Sequence, residues 1–496
     1  MSDRWSTSGL DLHLEAGPGP RRRARLEGAL RDAVRAGRLA PATRLPSSRS
    51  LAQDLGVARG TITAVYDQLA AEGYLEVAPG SGTRVAALPA GAVARRSPRT
   101  ERPAPAPALA PPTLRLVPGS ADATTFPVTA WNRAVRAALA SAPTDAFGSG
   151  DPRGRPELRA ALADYLARTR GVVADPARTV VTTGYAQSLA LLAQVLHGAA
   201  RGAPAPRVAM EDPGLGFHRE IVRRAGIEVV ALGVDRAGAR TDLLTGADLE
   251  AVRAVVVTPA HQYPTGVTLA PARRRALLDW ARATGGLVVE DDYDGEFRYD
   301  RQPVGAVQGI GPEHVVYAGS VSKTIGPGVR LGWMVVPGPL LDAVVAAKTH
   351  ADYRTGSVDQ LALAHLVRTH GYDRHVRGVR ARYRRRRDLL VARLADLVAS
   401  GHVEVSGVSA GLHALVGLRG PGADEDAVIR RAAALGLEVA GLGTHRHDAP
   451  GDPGIVVGFG APSEPEYPRA LDALVRALGA DRARGARRPS GDRLGT

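Results

Sequence analysis

The sequence predicts two folded regions of different class, a small α+β helix-turn-helix with a β wing and a large α/β domain. Three observations lead there. Residues 10–87 place short amphipathic helices before two short strands that flank a Pro-Gly-Ser-Gly turn. Residues 114–480 alternate apolar strand-like runs with helical stretches, the pattern of a parallel or mixed sheet covered on both faces. Between them, residues 88–113 are rich in Pro, Ala and Arg and hold too few large apolar residues for a core, so they read as a semi-extended tether. Residues 481–496 read as a basic, disordered tail.

Within the first region, Arg25–Arg38 carries Leu26, Leu30, Ala33 and Val34 on one face and arginines on the other, which predicts a helix. A serine cap in Leu45-Pro46-Ser47-Ser48-Arg49-Ser50-Leu51-Ala52 opens a second, short helix that ends at Leu55-Gly56. After the turn Gly56-Val57-Ala58, a third runs from Arg59 to Glu72 with Ile62, Val65, Tyr66 and Leu69 inward. Residues 73–77 and 83–86 are the strands of the wing. A short helix laid in the major groove shows its N-terminal side chains to base edges, while basic groups nearby take phosphates. Arg59, Thr61 and Thr63, with Arg44 and Arg49 before them, are therefore the candidate DNA contacts. Gly80 and Gly82 at the wing tip let backbone approach the nucleic acid.

In the second region the strand candidates are Val180–Thr182, Val208–Met210, Ala254–Val257, Leu287–Val289, Val315–Ala318 and Leu331–Val336. Polar or glycine-containing motifs follow nearly every one, and sites in such folds form at the carboxyl ends of strands. Lysine is almost absent: of 64 lysines and arginines, only Lys323 and Lys348 are lysine. A lysine retained where arginine supplies solvated charge is a candidate for chemistry that a guanidinium cannot perform, such as forming an imine with an aldehyde. Lys323 lies in Ser320-Val321-Ser322-Lys323, between a strand candidate and the turn Ile325-Gly326-Pro327-Gly328. Lys348 lies in a helical stretch with no chemistry visible around it.

An aldehyde cofactor with a pyridine ring and a phosphate needs an amine, an acid for the ring nitrogen, a donor for the phenolic oxygen and a phosphate cradle. Thr183-Gly184-Tyr185-Ala186-Gln187 follows a strand and opens an apolar helix, whose free amides suit phosphate. Asp291 is the candidate for the ring nitrogen and Tyr293 for the phenolic oxygen. Ser320, Ser322 and Arg330 flank Lys323 and complete the phosphate cup.

Bulk composition narrows the classes further. A formal charge of +14 favours a polyanionic partner, and the absence of cysteine excludes disulfides, thiolate metal sites and a cysteine nucleophile. No metal site is expected. No apolar run approaches the roughly 18 residues of a membrane span, and the N-terminus has no signal-peptide character, so a cytoplasmic protein without membrane partners is expected.

The runs Arg35-x-Gly37-Arg38-Leu39, Leu45-Pro46-Ser47-Ser48-Arg49, Leu55-Gly56-Val57, Arg59-Gly60-Thr61, Glu72-Gly73-Tyr74-Leu75 and Gly80-Ser81-Gly82-Thr83 resemble the winged helix of the GntR family. That resemblance implies DNA contacts at Arg49, Arg59, Thr61, Thr63 and Gly80. The amine, acid, phenol and phosphate motifs resemble fold-type I pyridoxal-phosphate enzymes of the aminotransferase class. Asp151-Pro152-Arg153-Gly154, Glu211-Asp212-Pro213-Gly214 and His261-Gln262-Tyr263-Pro264-Thr265-Gly266 add to the match. Together, over residues 10 to 480, the chain resembles the MocR family of bacterial regulators.

The resemblance implies a homodimer, a double-stranded DNA operator, and pyridoxal 5'-phosphate held as a Schiff base on Lys323, with a further small-molecule effector. Gly184, Tyr185, Ala186, Tyr263, Asp291, Tyr293, Ser320, Ser322 and Arg330 are the implied cofactor contacts. The chain departs from the family at Leu215, where an aromatic stacks on the cofactor ring, at Ser149, often a tyrosine, and at Val456, the place of the arginine that clamps an α-carboxylate. Arg419, Arg446, His413, His445 and His447 are the candidate substitutes for that arginine. The expected function is a cofactor-dependent transcriptional regulator, with vitamin B6 or amino-compound metabolism as its field. The alternatives are an active aminotransferase with an accessory DNA-binding head, which the missing arginine disfavours, and a dimerisation scaffold without cofactor.

Overall fold

The computed structural model describes residues 22–78, 82–87, 114–199, 205–246, 249–300, 304–447 and 451–479. The expected linker 88–113, the tail 481–496 and the wing-tip Gly80 lie outside the described residues. The chain divides into two compact units, residues 1–109 and 110–496.

The first unit consists of α1 (Arg22–Arg35), α2 (Ser48–Asp54), α3 (Arg59–Ala71), β1 (Leu75–Ala78) and β2 (Gly82–Val85). The helix expected over 25–38 instead begins at Arg22 and stops at Arg35. Gly37 adopts a φ of 71° and the Leu39 amide returns to the Ala33 carbonyl, a left-handed helix stop that the polar, arginine-rich face had masked. Ser47 caps α2 by accepting from the Ser50 amide at 3.1 Å. Leu30, Leu51, Ile62, Val65 and Leu69 close one small core, and the antiparallel wing pairs Leu75 with Val85.

In the second unit, β3 (Leu114–Arg115), α4 (Val128–Ser141) and α5 (Pro156–Arg170) lead into a large sheet. Its strands are β4 (Thr179–Thr182), β5 (Arg207–Asp212), β6 (Glu228–Asp235), β7 (Gly238–Ala239), β8 (Val252–Val257), β9 (Leu287–Asp291), β10 (Val315–Ser320) and β11 (Gly332–Val335). They lie in the order β4-β11-β10-β9-β8-β5-β6-β7. The stretch from β6 through β10 is parallel, whereas β11 runs antiparallel to both β10 and β4. The sheet is buried on both faces, which is why its central strands read as unbroken valine-rich runs. Val255, Val288 and Val315 pack on α8 (Pro271–Thr284) through Leu277 and Trp280. Val256, Val289 and Val316 face the opposite way, toward Leu189 and Leu192 of α6 (Tyr185–Ala199). That alternation is the period of two of a strand.

The helix α7 (Gly216–Arg224) follows β5, and α9 (Gly338–Asp352), α10 (Ser357–Arg368) and the 29-residue α11 (Gly371–Ala399) follow β11. A smaller antiparallel sheet then forms in the order β12 (Val403–Ser406), β13 (His413–Leu418), β16 (Gly454–Gly458) and β15 (Ala440–Gly441). It is covered by α12 (Glu425–Ala434) and α13 (Glu466–Gly479), and β14 (Leu437–Glu438) pairs with β3. Among the described residues no helix is long and apolar enough to cross a membrane.

A buried ionic knot ties α11 to the segment entering this unit. Arg386, 2% exposed, donates to Asp122 at 3.0 Å and to the carbonyls of Phe459 and Gly460 at 3.2 and 3.0 Å, and Asp122 is itself 2% exposed. Removing one member of a buried pair leaves the other charge uncompensated. Arg386→Ala should therefore lower unfolding stability by about 3 kcal/mol, measured by urea denaturation; an unchanged midpoint would show that Arg382, 2.7 Å from Asp122, suffices alone.

Candidate cofactor site and nucleic-acid interface

Parallel strands deliver their carboxyl ends to one edge of the sheet, and a cavity of about 370 Å³ opens there. Of the residues expected around a cofactor, Tyr185, Ala186, Tyr263, Tyr293, Ser320, Ser322, Lys323 and Arg330 line it. Gly184 sits immediately behind, at a φ of 128°, where an added Cβ would lie 3.4 Å from the Arg330 guanidinium. Arg330 itself adopts the left-handed region, with φ 55°, which turns its side chain toward the start of α6. The first amides of α6 have no acceptor within their own helix, because no turn precedes them.

Asp291, the last residue of β9, is not itself among the residues that line the cavity. Its Oδ1 is buried without a hydrogen-bond partner, and burial, aggravated by Asp292 and Asp294, pushes its carboxyl well above the usual range. Lys323 stands close enough to oppose that shift. Its own amine is held below the usual lysine value by burial, with Asp294 and Asp291 pulling the other way, and it donates to the Gly119 carbonyl. Tyr293 is fixed from behind. Its hydroxyl donates to the His261 carbonyl at 3.0 Å and lies 3.1 Å from His261 Nδ1, which is 2.8 Å from Asp294 Oδ2. Gly411 seals this group: a Cβ there would fall 2.1 Å from the His261 ring and 2.5 Å from Asp294.

Several wall residues were not singled out from the sequence. His218 stacks on Tyr185 with ring centres 4.8 Å apart and lies 4.0 Å from Asp291 Oδ2. Burial, then Lys323, pushes its imidazole down to about 4, so it is neutral near pH 7. Glu211 also lines the cavity; burial pushes it up to about 7, while donors from Thr258 and Gln262 hold its other side. Glu211 appears in the sequence only as the first residue of the Glu211-Asp212-Pro213-Gly214 run, with no contact assigned to it, and His218 only as a neighbour of that run.

Leu215 lines the cavity, whereas Ser149 is exposed outside it. Val456 is fully buried in β16, paired with Leu415 and Ala440. None of the five residues considered as replacements for a carboxylate clamp is among those lining the cavity. Arg419 is tied to Glu404 and Asp452 at the far end of β13, and Arg446 donates to the Asp452 carbonyl. His413 and His445 are packed edge-on against the ring of Tyr263, and His447 lies against Arg223.

On the first unit, Arg44, Arg49, Arg59 and Thr63 are exposed and Thr61 is half-buried. The Thr63 hydroxyl donates back to the Arg59 carbonyl at 3.1 Å. Arg44 forms a β-bridge with Arg84, and its guanidinium lies 3.3 Å from where a Cβ of Gly82 would be. Exposed Arg84, on the wing strand beside it, is a further basic group that the helix pattern did not reveal.

Residues 22–85 match the bacterial regulatory proteins of the gntR family, and residues 119–434 match aminotransferase class I and II. The chain is 34% identical over 439 residues to the HTH-type pyridoxine biosynthesis transcriptional regulator PdxR of Corynebacterium glutamicum, covering 88% of this chain and 91% of that protein. It is 32% identical over 474 residues to the probable rhizopine catabolism regulatory protein MocR of Rhizobium meliloti, covering 92% and 94% respectively. Among solved structures, an archaeal alanine:glyoxylate aminotransferase shares the fold, with a TM-score of 0.67 at 24% identity over 74% of this chain and 91% of that one. A gntR-type head joined to an aminotransferase-type domain, aligned nearly end to end with such regulators, means that the chain belongs to the MocR family of transcriptional regulators.

Proposed function

We propose that this regulator binds an operator in double-stranded DNA through α3 and the wing, and takes pyridoxal 5'-phosphate in the cavity beside Lys323. The observation that carries the reading is that Lys323 and Tyr293 line one cavity, while Asp291, whose buried Oδ1 has no hydrogen-bond partner, lies 4.0 Å from His218 of the cavity wall. A buried carboxylate without a partner is costly, and a protonated ring nitrogen is the cation that this acid suits. The remaining donors fit the same group: the start of α6, Ser320, Ser322 and Arg330 offer amides, hydroxyls and a guanidinium to a phosphate. Gly184 leaves the space between α6 and Arg330 open.

When bound, the cofactor supplies an aldehyde carbon open to attack by an amine. Lys323 is the amine, and burial favours its reactive neutral form. Asp291 holds the ring nitrogen and its proton, Tyr293 the phenolic oxygen, and Tyr263 borders the same wall. Vitamin B6 or amino-compound metabolism is the regulated field we infer, because the PdxR relative is named for pyridoxine biosynthesis. A homodimer would bring two heads to a paired operator and multiply affinity through linkage. Regulation is favoured over transamination because Val456 stands in the place of the carboxylate-clamping arginine and none of Arg419, Arg446, His413, His445 and His447 is among the residues lining the cavity.

Titrating the full-length protein with pyridoxal phosphate should produce a visible absorption band and, after borohydride reduction, a mass increase at Lys323. Lys323→Ala should show neither; the band in both proteins, or in neither, rejects Lys323 as the attachment point. Without cofactor, reductive alkylation of Lys323 by a small aldehyde should reach half its plateau below pH 10.5, the ordinary lysine value, because the native fold releases that proton more readily than the unfolded chain does. Peptide mass spectrometry reads this out, and a midpoint at or above 10.5 contradicts it. Arg59→Ala should weaken operator binding by about 1–3 kcal/mol and reduce its salt dependence, measured by fluorescence anisotropy. Loss of the cofactor band in that variant would refute independent action of the two units.

A further inference from the structure

We propose that Lys348, the second of the two lysines, is a positioning residue for the phosphate end of the cavity, acting through Asp352 and Gln187 on the first turn of α6. The proposal rests on the reading that the cavity takes pyridoxal 5'-phosphate.

Lys348 lies on α9 and its side chain is completely buried. Its ammonium donates to Asp352 Oδ1 and Oδ2 at 2.8 and 3.1 Å and to the Thr355 hydroxyl at 3.2 Å. Asp352 Oδ2 accepts in turn from Gln187 Nε2 at 2.7 Å. With its amide nitrogen so engaged, Gln187 turns its oxygen back to the Thr183 amide at 2.8 Å. This series of hydrogen bonds runs from a buried ammonium to the residue just before Gly184, and so to the turn that leads into Tyr185 and Ala186 of the cavity wall. With Thr183 committed to Gln187, the amides of Tyr185 and Ala186 are left pointing outward from the helix start.

Stability of α9 does not account for the arrangement. Asp352 ends the helix, where a carboxylate opposes the helix dipole, and a lysine four residues before an acid is the weaker order for a surface pair. The pair makes sense if Asp352 is there to receive Gln187 and Lys348 is there to hold Asp352 charged and still. Arginine, which supplies nearly every other cation of the chain, does not substitute. A planar guanidinium cannot direct three donors from one atom at two carboxylate oxygens and a hydroxyl inside a closed space.

The test compares two ligands on the full-length protein, pyridoxal phosphate and pyridoxal, which differ only in the phosphate. Lys348→Met and Gln187→Leu should each lower affinity for pyridoxal phosphate about tenfold, the loss of roughly one charge-assisted hydrogen bond, and leave pyridoxal binding at Lys323 unchanged. The double variant should be no worse than either single one, since both break the same series. Gln187 is half-buried at a helix start, so Gln187→Leu keeps the test available if Lys348→Met does not fold. Equal losses for both ligands, additive losses, or no loss would overturn the positioning role. Failure of the unaltered protein to bind either ligand would overturn the cofactor reading itself, and this inference with it.

Discussion

Five carboxyl groups crowd into residues 290–296, at and just beyond the end of a fully buried strand, and the surrounding structure is organised to neutralise them. Glu290 accepts from the amides of Val307 and Gln308 at 2.9 Å. Asp292 takes a bidentate Arg170 at 2.6 and 2.9 Å and the Tyr317 hydroxyl at 2.7 Å. Asp294 takes His261, and Glu296, pushed up to about 7 by burial, meets the Tyr165 hydroxyl at 3.4 Å. Asp291 alone of the five retains a buried oxygen with no partner, and its other oxygen lies 4.0 Å from His218 of the cavity wall. Strand alternation sends Asp291 and Asp292 to opposite faces, so Arg170 and Tyr317 satisfy Asp292 while Asp291 keeps an unpartnered oxygen.

Much of this was legible in the chain itself. Central strands buried on both faces must be continuous apolar runs, so β4, β5, β8, β9, β10 and β11 were each anticipated near their observed bounds. A serine cap on α2 and the inward face of α3 follow from local chemistry and were equally plain, although which of the three serines caps the helix, Ser47, is settled only by the fold. β6 was not singled out, because it alternates exposed and buried positions and carries Glu228 and Asp235 at its ends. The small sheet was hidden for a different reason: strands of two to six residues paired across long separations leave little local signal.

The site divides along the same line. Lys323, Asp291 and Tyr293 stood out because each lies at or within three residues of the carboxyl end of a strand. His218 and Glu211 were not, since nothing local distinguishes a cavity wall from a loop. Lys348 showed itself only as a compositional oddity; Asp352 and Thr355 lie within seven residues of it, but Gln187, which bonds to Asp352, comes from a distant stretch that folding alone brings there. Val456 looked like a missing ligand from its position in the chain, yet its side chain is enclosed within the small sheet.

The antiparallel β11 does more than complete a sheet. It pairs with β10 on one side and β4 on the other, joining the strand that precedes Lys323 to the strand that precedes Gly184. At its first residue, Gly332, an added Cβ would fall 2.7 Å from the Gly184 Cα and 3.0 Å from the Gly319 carbonyl, so the two loops are separated by bare backbone. The backbones of the Lys323 loop and the Gly184 turn therefore stand two strand spacings apart, at about 4.8 Å per step, whatever rotamers their side chains adopt. Side-chain motion varies the reach across the cavity, but it does not move the two loops apart.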